Sequence, residues 1–132
     1  MKHYQYYQPN DLDLKDQYYD DVIRALTKVM NMSWLEVFDE ITPLARKLQC
    51  SFLNKVCYER YLLDNRFKYT GISNKRGSVR PTVEQFAKSH RKGKYFIIIA
   101  HQCVACVDGV YYNTWDCGGK SMYGYWCLPE YL

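Results

Sequence analysis

The sequence predicts an α+β domain in which N-terminal helices pack on a small antiparallel sheet. Three observations carry this expectation. Apolar residues recur at three- and four-residue steps from Asp20 onward through the first half of the chain. After Arg91-Lys92-Gly93 the period changes from 3.6 to 2, the repeat of an extended strand. Asp108-Gly109 then stands between two extended runs, and this pair suits a type I′ hairpin turn because both of its central residues need positive φ. Helices followed by hairpins is the chain order of an α+β domain. At 132 residues the chain is of single-domain size, so residues 1–132 are read as one unit.

Residues 1–15 are polar and aromatic without period and are expected to lie across the body as an extended arm. In the first helix Val22, Ile23, Leu26, Val29 and Met30 share a face, and Asp16, Asp20 and Asp21 put negative charge at its N-terminal end, where the helix dipole favours it. Asn31 and Met32 break that helix. Ser33 with Glu36 forms a capping box for a second one, through Trp34, Leu35, Val37, Phe38 and Ile41. Pro43 lacks an N–H, so it implies either a kink or a fresh helix capped by Thr42, with Leu44, Ala45 and Leu48 continuing the apolar face. A third helix over 52–63 carries Leu53, Val56, Cys57, Tyr61 and Leu62 inward.

Residues 68–80, with Gly71, Asn74 and Gly77, read as a loop. Thr82 and Gln85 form a second capping box that starts a short helix with Val83, Phe86 and Ala87 inward. Residues 94–100 read as a buried strand, and 101–107 as its continuation or a second strand after a bend. Residues 110–116 return antiparallel, and 122–126 form a further strand after the turn at Gly118-Gly119.

Composition narrows the class. A hydrophobic fraction of 48 % with 17 % aromatic residues excludes a disordered chain. The six cysteines (Cys50, Cys57, Cys103, Cys106, Cys117, Cys127) come with no basic segment and apolar run at the start, so reduced thiols in a cytoplasmic setting are expected. Cys103 and Cys106 have metal-like spacing, but in an extended run they face opposite ways, so neither a metal nor another cofactor is expected. YFIIIA is too short to cross a bilayer, and no membrane partner is expected.

The net charge of +4 is unevenly spread. Nine bases fall between Arg66 and Lys94 against Glu84 alone, a stretch that suits a solvated face or an acidic partner. No nucleic-acid module pattern accompanies it, so a basic nucleic-acid or protein interaction module is the weaker alternative.

The hairpin supplies the candidate chemistry. With Asp108-Gly109 as a two-residue turn, Val107 faces Val110 and Ala105 faces Tyr112. The same register carried outward pairs Cys103 with Thr114 and His101 with Asp116. A carboxylate on the second ring nitrogen of a histidine fixes its tautomer and raises its basicity, as a general base requires. A structural hydrogen-bonded pair at a strand end is the competing explanation. His3, in the arm, and His90, at a basic helix end, are weaker candidates.

Several segments together, DDVIRA at 20–25, SWLEVFDE at 33–40, TVEQFAKSHRKGKY at 82–95, HQCVACVDGVYYNTWD at 101–116 and YGYW at 123–126, resemble small papain-like cysteine peptidase relatives found largely in bacteria and their phages. The resemblance covers nearly the whole chain and implies a papain-like fold. It implies His101 as the base, Asp116 as its orienting acid and Gln17 as an oxyanion donor. The nucleophile position falls on Asp21, where the family has cysteine. A carboxylate is a far poorer nucleophile toward an amide and its acyl product would be an anhydride, so the family's thiol chemistry is not expected from Asp21. An ion pair between Asp21 and His101 would leave a stable, inert site.

The expectation is therefore a papain-like peptidase-related domain without the usual thiol, inactive or acting by binding, with a peptide or protein segment as partner. The alternative is an active thiol hydrolase in which Cys50, near the start of the third helix, attacks with His101 and Asp116.

Overall fold

The computed structural model describes residues 3–12, 20–73 and 79–132. Within these, the helices are α1 (Asp21–Met30), α2 (Trp34–Leu48), α3 (Lys55–Asp64) and α4 (Val83–Ser89). The strands are β1 (Tyr4–Tyr6), β2 (Lys68–Gly71), β3 (Lys94–Ile99), β4 (Gln102–Val107), β5 (Val110–Asn113) and β6 (Gly124–Cys127). They form one sheet in the order β1-β5-β4-β3-β6-β2. The α+β class holds, but the sheet is mixed rather than purely antiparallel. β1 runs parallel to β5, with Tyr4 beside Tyr111 and Tyr6 beside Asn113, so part of the N-terminal arm is an edge strand.

The period-2 pattern of the central strands sorts their side chains onto two faces. Phe96, Cys103 and Ala105 join Trp126 in a core shared with Val22, Ile23, Leu26 and Val29 of α1, Val37 and Ile41 of α2, and Cys57, Tyr61 and Leu62 of α3. Tyr95, Ile97, Ile99, Val104 and Cys106 face the other way, onto Val83, Phe86 and Ala87 of α4. Helices therefore cover both faces. Cys103 and Cys106 lie in opposite cores and cannot share an ion.

Both capping boxes form. Ser33 Oγ accepts from the Glu36 N–H at 3.1 Å while Glu36 Oε1 accepts from the Ser33 N–H at 3.0 Å, and Thr82 and Gln85 repeat the arrangement at α4. α2 runs through Pro43 as one helix, with no fresh start at Thr42. The proline faces outward, and Val37 and Ile41 hold the inner face in the turns before it.

Two expectations are corrected. Residues 68–71 are not loop but the edge strand β2, paired antiparallel with β6 from Lys68 beside Cys127 to Gly71 beside Gly124. Its two-sided exposure hides the alternation that reveals inner strands. α3 begins three residues later than expected and turns differently: Tyr58 is buried with Cys57, Tyr61 and Leu62, while Val56 is 61 % exposed.

Candidate functional site

α1 begins at Asp21 and packs across β4. Its first residue therefore arrives beside the start of that strand. The Asp21 carboxylate is 7 % exposed, and its Oδ2 accepts the Cys103 backbone N–H at 2.9 Å. Burial raises the Asp21 pKa above the usual carboxylate value, opposed by the Cys103 N–H and by the positive charge of Arg24. Asp21 lines a pocket of about 550 Å3 together with Lys55 and Tyr58 of α3, His101, and the apolar walls Leu53 and Ile98.

His101 reaches this pocket from the bend that is one of the two readings of this segment, standing in the turn itself rather than at the start of the second strand. Ile99 pairs with Gln102, so Ala100 and His101 are the two residues of a tight β3–β4 turn, and His101 takes a left-handed φ of +61°. It is exposed, and no described residue forms a hydrogen bond or ion pair with its ring. The expected Asp21–His101 ion pair is therefore not formed. The carboxylate is held by the β4 backbone instead.

Nor does Asp116 orient His101. The inner part of the hairpin register is as expected, with Val107 beside Val110 and Ala105 beside Tyr112. Beyond it the ladder stops, because Asn113 Oδ1 accepts the Thr114 N–H at 2.8 Å and turns the chain out of the strand. Asp116 lands in the following loop, where its Oδ1 accepts from the Tyr111 hydroxyl and from the Gly118 N–H at 3.0 Å. The Tyr111 hydroxyl, more than the Gly118 N–H, holds the Asp116 pKa below the usual carboxylate value. Its role is to staple that loop to the sheet.

Cys50 follows the C-terminal cap of α2 and packs against Cys57, whose thiol is pushed up to about 11 mainly by burial. It does not line the pocket. Cys103 does, but burial, reinforced by the Asp21 charge, pushes its thiol well above the usual value and removes thiolate character. Gln17 lies outside the described residues.

One member of the basic stretch reaches the pocket: the Arg80 guanidinium lies over the ring of Tyr123, a lining residue, 4.6 Å from its centroid. Lys94 opens β3 and Lys68 pairs with Cys127, itself beside Tyr95, so these two lysines mark the sheet end away from His101. β3 spans six residues, about 20 Å at strand rise, which separates the two ends.

Sequence reasoning missed a buried polar chain behind the pocket. Arg24, 2 % exposed, donates from Nη1 to Asp20 Oδ1 at 2.6 Å and from Nη2 to Asn113 Oδ1 at 3.2 Å. Asn113 Nδ2 donates to Gln102 Oε1 at 3.2 Å, which also accepts from Trp115 Nε1 at 3.0 Å. Gln102 is itself a pocket residue. The available signal was Arg24 one turn after Asp20, a charge placed on the face of α1 that carries Ile23 and Leu26 inward.

No protein-family model matches the chain, and no curated protein or solved structure matches it either. Among the described residues, no cluster of three or more His, Cys, Asp or Glu side chains is arranged to hold a metal ion. No described helix is long and apolar enough to cross a membrane.

Proposed function

We propose that this chain is a papain-like peptidase-related domain in which a carboxylate occupies the position of the thiol nucleophile, so that it binds a peptide segment in its pocket without acyl transfer. The observation that carries this reading is the convergence of Asp21, the first residue of α1, and His101, in the β3–β4 turn, on one pocket. The resemblance on sequence motifs pairs the same two positions as nucleophile and base.

Three features favour binding over catalysis. The Asp21 carboxylate is engaged by the Cys103 N–H, so one of its oxygens is already committed. Among the described residues His101 has no orienting partner, so none of them fixes its tautomer for proton transfer. No thiol stands in for the missing one: Cys50 is outside the pocket, and Cys103 is protonated by its surroundings.

The test is thiol labelling, site by site, of the protein and of Asp21→Cys, each with and without His101→Ala. A thiol at the first position of α1 gains from the helix dipole and from an imidazolium across the pocket. The expected result is labelling of the introduced thiol at least about ten-fold faster than any native thiol, with the gain lost in His101→Ala. Slow labelling at position 21, or fast labelling indifferent to His101, overturns the reading.

A further inference from the structure

No described cation forms an ion pair with the Asp21 carboxylate in the pocket, and the Arg24 charge acts on it only from outside ion-pair distance. Asp21 is 93 % shielded, and its described hydrogen-bond donor from elsewhere in the chain is the neutral Cys103 N–H. Arg24, the nearest guanidinium on α1, is spent: it lies 2.6 Å from Asp20 and 3.2 Å from Asn113. Burying a carboxylate without a cation is costly, and a ligand that brings one recovers that cost. A carboxylate accepts several hydrogen bonds, so the Cys103 contact leaves acceptor capacity for a ligand.

The surroundings narrow the cation. Leu53, Ile98 and Tyr123 give the pocket apolar walls, suited to a hydrocarbon side chain next to the charge. Lys55 and the His101 ring, which has no hydrogen-bond partner among the described residues, also line it and are donors, suited to carbonyl oxygens further along the ligand. Cation against the carboxylate, apolar group against the walls and carbonyls toward Lys55 and His101 is the order of groups at the start of a peptide.

From this arrangement we infer that the pocket captures the free amino terminus of a peptide whose first residue is apolar, with its α-ammonium on Asp21. The inference rests on the binding reading above and names the ligand for that site.

The experiment is calorimetric titration with three probes: leucyl-glycinamide, its N-acetylated form and isoamylamine. Leucyl-glycinamide is expected to bind at least about ten-fold more tightly than the acetylated probe, which lacks the cation, the scale of one charge-assisted hydrogen bond. It is also expected to bind more tightly than isoamylamine, which keeps the cation and side chain but has no carbonyls. Asp21→Asn, with its fold checked by circular dichroism, is expected to remove the preference for the free amine.

Equal binding of the free and acetylated probes, no binding of either, or an undiminished preference in Asp21→Asn overturns the inference. Isoamylamine binding as tightly as the dipeptide overturns the peptide assignment in favour of a simple amine. Because the free-versus-acetylated comparison uses the unaltered protein, it stands even if Asp21→Asn does not fold. Fast, His101-dependent labelling of Asp21→Cys without a free-amine preference would leave the peptidase-related reading intact while removing this one.

Discussion

Removing the Asp20 carboxylate should cost far more than a half-exposed ion pair usually does, because its partner is fully inside the protein. Arg24 is 2 % exposed and Asp20 15 %, at 2.6 Å. In Asp20→Ala the guanidinium stays buried with only the Asn113 amide oxygen as acceptor. Breaking a buried pair from one side costs about 3–5 kcal/mol, and the partial exposure of Asp20 sets the lower end, about 3 kcal/mol. For a chain of this size that is a fall in Tm of roughly 10 °C.

The decisive comparison is the double variant Asp20→Ala with Arg24→Met, which removes both charges and fills the space with an unbranched apolar chain. Asn113 Oδ1 keeps its bond from the Thr114 N–H, so the double variant should lie within about 1 kcal/mol of the parent. Urea unfolding followed by tryptophan fluorescence, with equal m values required, measures all three. A single-variant cost under about 1 kcal/mol, or a double variant less stable than the single one, would refute the argument that an uncompensated Arg24 is the source of the loss.

Two further expectations follow from the pocket. His101→Gly should stabilise the protein by about 0.5–1 kcal/mol, since glycine relieves the left-handed φ of +61° while giving up little burial, an advantage read from the urea midpoint and absent in His101→Ala. For Asp21 the sign is that of a carboxylate whose folded pKa is raised. Its contribution is fully present below the usual carboxylate value of 3.8 and is lost as pH rises through the higher folded value. Asp21→Asn, whose amide oxygen can still accept from Cys103, should therefore gain on the parent from acid toward neutral pH, and a gap that stays constant across urea titrations over that range would contradict the burial argument.

How much of this was legible in the sequence depended on how local the determining interactions were. Ser33 with Glu36 and Thr82 with Gln85 are closed three residues apart, and both formed as expected. The Asp108-Gly109 turn fixed the inner hairpin register for the same reason. Extending that register to Asp116 failed because it assumed an uninterrupted strand, whereas the Asn113 side chain captures the next N–H and bends the chain. β2 was invisible because an edge strand exposed on both faces carries no alternation. His101 was picked out for the site, but in the wrong setting: HQC reads as strand, and only the Ile99–Gln102 pairing shows it to be turn. The Arg24 chain joins residues 89 positions apart and left only a misplaced charge as its trace.

The order of strands in the sheet also sets an order in time. β2 precedes the central hairpins in the chain, yet it lies at one edge of the sheet and, among the described strands, pairs with β6, which follows them. β1 waits similarly for β5. Among the described residues, four helices and two unpaired strands therefore precede β3, the first strand of the central hairpins. The β3–β4–β5 hairpins have the shortest-range pairing in the sheet, and their outer edges are the ones that β6 and β1 join. Trp126 of β6 pairs beside Phe96 in the core that α1, α2 and α3 cover, so the helical side of the core is complete only once Gly124–Cys127 has joined the sheet.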